Sequence, residues 1–287
     1  VPIAAGLATS MHASLPLVTA VVVGGAFFGD NLSFISDTTI AATNSQNCKM
    51  SDKFKVNIYI ALPAALIVLA IYSFIGFNLH SQPVAQQIDI VKVLPYLAVL
   101  VTAMMGINVF TVLVTGVALA FVIGLFDGNH DVFSLFHSMG DGVLSMSELI
   151  IITMLAGGLF GLVRHDGGID YIISKISKRV KGKRGAELVI CSLVAAVDVC
   201  TANNTVAIIT VGGIAQKISK IYDVDNRRVA SLLDTSSCVM QGIIPYGAQM
   251  LMASGLARLN PLDIIPYLYY PFILLIFVLG SIMFRFP

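Results

Sequence analysis

Charge is what this chain has least of. Only 11% of its 287 residues are charged and 57% are apolar, with a mean hydropathy of +0.88; an ordinary globular domain carries about 25% charged residues. That balance excludes a soluble domain and makes the lipid bilayer the chain's first partner. A net charge of +1, with no basic stripe interleaved with aromatics, excludes a nucleic-acid partner. Tryptophan is absent, so an interfacial aromatic belt must come from tyrosine, and Tyr96, Tyr267, Tyr269 and Tyr270 sit near the ends of apolar runs. The four cysteines, Cys48, Cys191, Cys200 and Cys238, are scattered and form no CxxC pair. They read as small apolar residues, not as a disulfide framework or a zinc site. No nucleophile is accompanied by a base and no metal triad is legible, so the expectation is a non-enzyme without a resident cofactor.

Against this apolar background stand two dense polar blocks. One is Gly29-Asp30-Asn31-Leu32-Ser33-Phe34-Ile35-Ser36-Asp37-Thr38-Thr39. The other is Asp234-Thr235-Ser236-Ser237-Cys238-Val239-Met240-Gln241-Gly242. Both are bracketed by membrane-grade sequence. An aspartate at the centre of a bilayer helix costs about 2.5–3.5 kcal/mol on the insertion scale, and such residues mark ion or proton pathways. The implied function is transport of a small cation.

A span needs about 20 apolar residues. The runs that qualify are 13–43, interrupted by the first block; 56–77; 92–126, which breaks at Gly106-Ile107-Asn108 into two antiparallel spans; 147–163; 186–216, with a polar centre; 229–256, holding the second block; and 267–284. Of the 17 basic residues, 11 lie in 164–184 and 217–228. Cytoplasmic loops are enriched in Lys and Arg, so both of these loops fall inside. Segment 186–216 must then enter and leave on one face, as a re-entrant helical hairpin with its tip at Asp198-Val199-Cys200-Thr201-Ala202-Asn203-Asn204-Thr205. On the same count loop 46–55, with three lysines, falls inside and loop 127–146 outside. Residues 167–184 read as an amphipathic helix, with Ile169, Ile172, Ile173, Ile176 and Val180 on one face.

The two blocks have related spacing. Asp30 and Asp37 are seven apart, as are Asp234 and Gln241, and Ser33 and Ser237 are near equivalents. Each block is expected to interrupt a helix, and by charge bias the two helices cross in opposite directions. This is the pattern of an inverted repeat, whose site forms at the midplane from discontinuous helices. The expected fold is therefore an all-α polytopic membrane protein. A first-repeat remnant (1–77), linking spans (92–126) and a second repeat (147–284) make up one transmembrane domain over 1–287. The second repeat has a hairpin before its broken helix, and a matching one would precede Val1. The chain opens in mid-pattern, with neither initiator Met nor basic leader, and a fragment or core of a longer protein is expected.

The first block is similar to the G-D-x-x-S-P-x-S-D-T-T motif of NhaC-type sodium/proton antiporters, with Phe34 where the motif has Pro. Pro2-Ile3-Ala4-Ala5-Gly6 resembles the stretch after that family's first hairpin. The likeness extends more loosely over the basic loop, Asn203-Asn204-Thr205 and Asp234-Thr235-Ser236. The resemblance implies hairpin-plus-broken-helix repeats, a homodimer with a moving transport domain, and a bacterial cell-membrane location. It also implies exchange of sodium for protons, or, in some relatives, of malate for lactate together with these ions.

Sodium needs several hard oxygen ligands, by the logic that governs calcium. Asp30, Ser33, Ser36, Asp37 and Thr38 offer one set; Asp234, Thr235 and Ser236, with the hairpin-tip residues Asp198, Asn203, Asn204 and Thr205, offer another. Exchange requires one group that takes either a proton or sodium. A partly buried aspartate suits this, because an uncompensated carboxylate in a low-dielectric site must be neutralised. Asp37 or Asp30 is the expected group, then Asp234, and sodium is expected at these three. The plainer alternatives are a helix cap for Asp30, an Asx turn for Asp37, a cap for Asp198, and backbone satisfaction at the tip for Asn203 and Asn204. A sodium-coupled carrier of a small organic anion remains the competing function. Against it, Arg164, Arg227 and Arg228 all fall at the inner edge, where none would clamp an anion within the membrane.

Overall fold

The computed structural model describes residues 1, 4–6, 8, 13–33, 36–77, 90–104, 107, 109–126, 131–145, 147–177 and 182–286. Every regular element among them is helical. In chain order these are α1 (Leu15–Leu32), α2 (Asp37–Gln46), α3 (Met50–Phe77), α4 (Ile90–Met104), α5 (Val109–Phe126), α6 (Val132–Ser145), α7 (Ser147–His165), α8 (Gly168–Ser177), α9 (Gly182–Thr201), α10 (Asn204–Tyr222), α11 (Asn226–Ile243), α12 (Ala248–Ala257), α13 (Pro261–Ile264), running into a 3₁₀ turn at Ile265–Tyr267, and α14 (Tyr269–Phe284). Among the described residues two stretches, Leu15–Gln46 and Met50–Phe77, are long and apolar enough to cross a bilayer. The pair Pro261–Tyr267 and Tyr269–Phe284, bent by 53°, makes a third.

The chain divides into two compact units, Val1–Gln82 with Leu149–Pro287, and Pro83–Glu148. In the smaller unit α4 and α5 pack as an antiparallel pair, with Val99 against Gly116. Residues 132–145, expected as part of an outer loop, are helix α6. Large apolar side chains such as Leu97, Val101, Leu113 and Val117 are exposed on α4 and α5, as suits helices whose solvent is lipid.

The larger unit is organised around α11. Every residue from Arg228 to Val239 is buried, six polar or charged ones included. One flank of α11 (Leu232, Cys238, Val239) joins a core with α1, α3, α12 and α14; the other (Val229, Ala230, Leu233) joins a core with α9 and α10. A helix buried all round is ordinarily apolar, so the polar content of α11 points to a site. The apolar face of α8 begins with Ile169 buried in the α9–α10 core and Ile173 packed against it. Val180, expected on the same face, lies outside the described residues.

Helices α1–α2 and α11–α12 repeat one another in backbone detail, at a constant shift of 211 positions (Leu15 to Asn226, Asp37 to Ala248, Asn47 to Arg258). The first helix of each pair ends in an extended residue, Ser33 (φ −80, ψ 144) or Ile244 (φ −77, ψ 129). The second opens after another, Ser36 (φ −63, ψ 138) or Gly247 (φ −64, ψ 145). Each second helix closes on a left-handed residue, Asn47 (φ 52) or Arg258 (φ 53), with matching cap bonds: Cys48 N to Thr43 O, and Leu259 N to Ser254 O.

This register corrects the sequence-based pairing. The structural equivalent of Asp30 is Gln241, not Asp234, and the second polar block does not interrupt its helix. Helix α11 runs unbroken through Asp234–Gly242, and the break falls at Ile244-Pro245-Tyr246-Gly247. The cause is Pro245: it has no N–H to donate and it forces the preceding residue out of the helical region. Two of the hydroxyls within α11 return to their own helix, Thr235 to Ser231 O (2.7 Å) and Ser237 to Asp234 O (3.0 Å), so they do not compete with it.

The hairpin α9–α10 turns at Ala202 (φ 52) and Asn203. Its second helix packs on α2 at Gly212, whose carbonyl accepts from Gln46 Nε2 at 2.9 Å, and a Cβ there would sit 2.5 Å from that of Ser45. Gly212→Val is therefore expected to destabilise the protein by about 1–3 kcal/mol through overpacking, read as a lower midpoint of thermal unfolding in detergent. An unchanged midpoint would mean that α10 and α2 are not in contact.

Candidate ion site

At the centre of the larger unit lies a buried ion pair. Asp234, midway along α11, meets Lys53, in the first turn of α3, with Nζ to Oδ2 at 2.6 Å and both side chains 1% exposed. The ammonium also donates to Thr39 Oγ1 (2.7 Å) and to the Asn31 carbonyl (3.3 Å). One turn along α3, Asn57 Nδ2 donates to the same carboxylate oxygen (2.9 Å) and the same carbonyl (2.8 Å). Asn31 Nδ2 bonds Phe27 O, Cys238 Sγ and Tyr270 Oη at 3.0–3.2 Å. The negative end of the α1 dipole and a buried carboxylate thus share one ammonium.

Lys53 was expected in an inner loop. The loop is shorter than the charge count implied, because α3 begins at Met50 and its fourth residue turns inward. Arg228, expected at the inner edge, is in the first turn of α11. It is buried there, 3.6 Å from Glu187, with Nη2 donating to Ser281 Oγ at 2.9 Å.

The break between α1 and α2 holds the second group. Ser36 Oγ lies 3.4 Å from Asp30 Oδ1 and 2.7 Å from Thr38 Oγ1. Asp37 Oδ1 accepts from the Thr38 N–H at 2.9 Å, and Asp37 Oδ2 accepts from Thr205 Oγ1 at 2.7 Å. The hairpin tip therefore touches the first break, although 168 positions separate the two residues. Asp30 is half-buried in the last turn of α1, so it is not an N-cap, and it lies in the fields of Asp234, Asp37 and Lys53. Asp37 is exposed.

At the hairpin, Asn203 Oδ1 caps α10 through the Val206 N–H (3.0 Å), and Asn204 Oδ1 accepts from the Thr205 N–H (3.0 Å). Both amide oxygens are spent on local backbone. Asp198 does not cap α10. It is 0% exposed, and its Oδ1 accepts from Gln241 Nε2 at 2.8 Å, tying the hairpin to α11 three residues before the second break. Tyr246, inside that break, donates to Val199 O at 2.9 Å.

Of the expected ligands, Asp30, Ser36, Asp37, Thr38 and Thr205 are thus brought together, and Asp234 lies deeper, beside the end of α1. Thr235 is turned onto its own helix, and Ser236 lies against Cys191. Ser33 caps the end of α1. Lys53 and Asn57 escaped sequence reasoning; Asn31 and Gln241 lie in the two polar blocks but were not among the expected ligands. The one visible signal of the first two was a lysine and an asparagine at i and i+4 leading into an apolar helix. Among the described residues no Lys or Arg lies within ion-pair distance of Asp30, Asp37 or Asp198. The buried ammonium of Lys53 is thus paired with Asp234, and these three carboxylates have no fixed cation of their own among the described residues.

Comparison with known proteins gives concordant results. The family model described as "Na+/H+ antiporter family" matches residues 83–286. The Na(+)/H(+) antiporter NhaC of Alkalihalophilus pseudofirmus is 23% identical over 93% of this chain and 65% of its own length. NhaC of Bacillus subtilis is 24% identical over 93% and 66%. The malate-2H(+)/Na(+)-lactate antiporter of Bacillus subtilis is 19% identical over 90% and 62%. The chain thus spans somewhat under two thirds of the length of these relatives. No solved structure matches.

Proposed function

The chain belongs to the Na+/H+ antiporter family, a family of transporters, and on that premise we propose that it exchanges sodium for protons across a cell membrane by alternating access. The observation that carries this reading is the excess of carboxylate over fixed cation at the α1–α2 break and the hairpin tip. Sodium sits between Asp30 and Asp37, with the hydroxyls of Ser36, Thr38 and Thr205 as further ligands. Protons compete with sodium first at Asp30, the half-buried member of the pair, since a desolvated carboxylate without a cation is costly. The site is thus neutralised by one ion or the other, and only the neutralised form crosses.

The matching of α1–α2 with α11–α12 supports an inverted repeat, with the two broken helices crossing in opposite senses and α9–α10 as a re-entrant hairpin. In that arrangement irregular backbone at depth faces protein or water, as it must. A homodimer, with one part of each protomer moving against the other, belongs to the same reading.

Sodium-coupled exchange of a small organic anion is the second reading. One observation favours it, a buried arginine, Arg228; Glu187 and Ser281 already hold that side chain.

The test is proteoliposomes loaded with a pH-sensitive dye. An imposed sodium gradient should drive proton movement without any organic anion, and added malate or lactate should leave the rate unchanged. Proton movement that appears only with malate or lactate would favour the second reading, and no sodium-dependent movement under any condition would overturn both.

A further inference from the structure

One end of the larger unit carries a basic cavity that the ion site does not use. Its volume is about 490 Å³, and Asp52, Lys55, Val56, Tyr59, Lys183, Glu187, Asp225, Arg227, Arg228 and Arg285 line it. Five bases thus face three acids. The N-terminal ends of α3, α9 and α11 meet here with the C-terminal end of α14, so three of the four helix ends present positive partial charge.

The pairing within the cavity is uneven. Arg227 is closed onto Asp225 by a fork of bonds at 2.6–3.1 Å, and these hydrogen bonds hold the Asp225 carboxyl below the ordinary carboxylate range. Arg228 is held at the floor by Glu187 and Ser281. Lys55 reaches Asp52 only at 3.8 Å and Lys183 reaches Asp223 only at 3.5 Å. Arg285 makes no ion pair among the described residues. Three cationic side chains thus remain able to turn onto an anion.

A second observation says what kind of anion. Lys55 and Tyr59, on the wall of the cavity, begin a stripe on α3 that continues through Leu62, Leu66 and Leu69 at helical spacing. Tyr59 and these three leucines are 38–62% exposed. Tyr59 stacks edge-on against Phe286 at 5.5 Å between centroids, placing an aromatic pair between basic cavity and apolar stripe. Charge, then aromatic, then aliphatic surface is the order in which a phospholipid presents headgroup, interface and acyl chain.

We propose that this cavity binds the phosphate headgroup of an anionic phospholipid, with its acyl chains along the Tyr59–Leu62–Leu66–Leu69 face of α3. Lys55, Lys183 and Arg285 contact the phosphate. The proposal rests on the membrane reading and not on which ion is carried, so it survives if sodium exchange fails and falls without affecting it.

The test uses the purified protein in detergent with phosphatidylglycerol, phosphatidylcholine or soluble glycerol phosphate. Phosphatidylglycerol should raise the thermal midpoint above that in phosphatidylcholine, and the double variant Lys55→Gln/Arg285→Gln should lose that difference while keeping the wild-type midpoint in phosphatidylcholine. Both side chains are exposed and neither belongs to the ion site. A difference that persists in the double variant overturns the proposal. So does an equal shift from glycerol phosphate, which would make the cavity a site for free phosphate. In native mass spectrometry the wild-type protein should keep phosphatidylglycerol through delipidation that strips phosphatidylcholine. Equal loss of both lipids overturns the proposal even if the double variant fails to fold.

Discussion

Lys53→Ala is expected to lower the stability of the folded protein by about 3–5 kcal/mol, because it strands a buried carboxylate, and to abolish sodium-driven proton movement. Among the described residues Asp234 has no second cation within ion-pair distance; of its described partners Asn57 would remain, and the carbonyl of Asn31 would lose its charged donor. The double variant Lys53→Met/Asp234→Leu separates the two effects. Replacing a buried pair by apolar side chains of similar volume is often neutral for stability, so the midpoint of thermal unfolding should return close to the wild-type value. Exchange should not return, since the carboxylate is gone. Full stability in Lys53→Ala would mean that the pair is not desolvated in the folded protein. Full exchange in the double variant would make the pair a structural strut and leave the α1–α2 break as the whole of the ion path.

What was legible in the sequence, and what was not, follows the range of the forces involved. The helical membrane class is a bulk property, written in the scarcity of charge. The first break was visible because Ser33, Ser36 and Asp37 all favour non-helical or capping conformations. The hairpin tip was visible because a polar centre sat in an apolar run between two basic loops. The second break was misplaced for a local reason: the polar residues of α11 looked like breakers, yet the hydroxyls of Thr235 and Ser237 bond to carbonyls one turn back, and Pro245 a few residues on does the breaking. Lys53 was misplaced for a non-local one. A lysine three positions into a helix looks solvated unless its partner is known, and Asp234 lies 181 positions away. The bond between Asp198 and Gln241 was hidden in the same way, since only the packing of α9 on α11 makes the two neighbours.

Asp37→Asn is expected to abolish sodium-driven proton movement while leaving folding and membrane insertion intact. The substitution keeps the shape of an exposed side chain that belongs to no buried pair, and removes the charge that sodium and protons share. Thr205→Val removes the hydroxyl that reaches Asp37 Oδ2 at 2.7 Å, and it should weaken sodium affinity about tenfold, the equivalent of roughly 1.4 kcal/mol. If the hairpin tip and the first break hold one ion, the effects of Asp37→Asn and Thr205→Val on sodium binding are not additive, as for residues that share a ligand. Asn204→Ala and Asp234→Asn should combine additively instead. Asn204 is turned to the Thr205 N–H and Asp234 to Lys53 and Asn57, and no hydrogen bond joins them. Isothermal titration with sodium at fixed pH measures all four single variants and both pairs. Wild-type exchange in Asp37→Asn would reduce Asp37 to a turn residue whose carboxylate holds the Thr38 N–H, and additive losses in the first pair would put Thr205 outside the ion site.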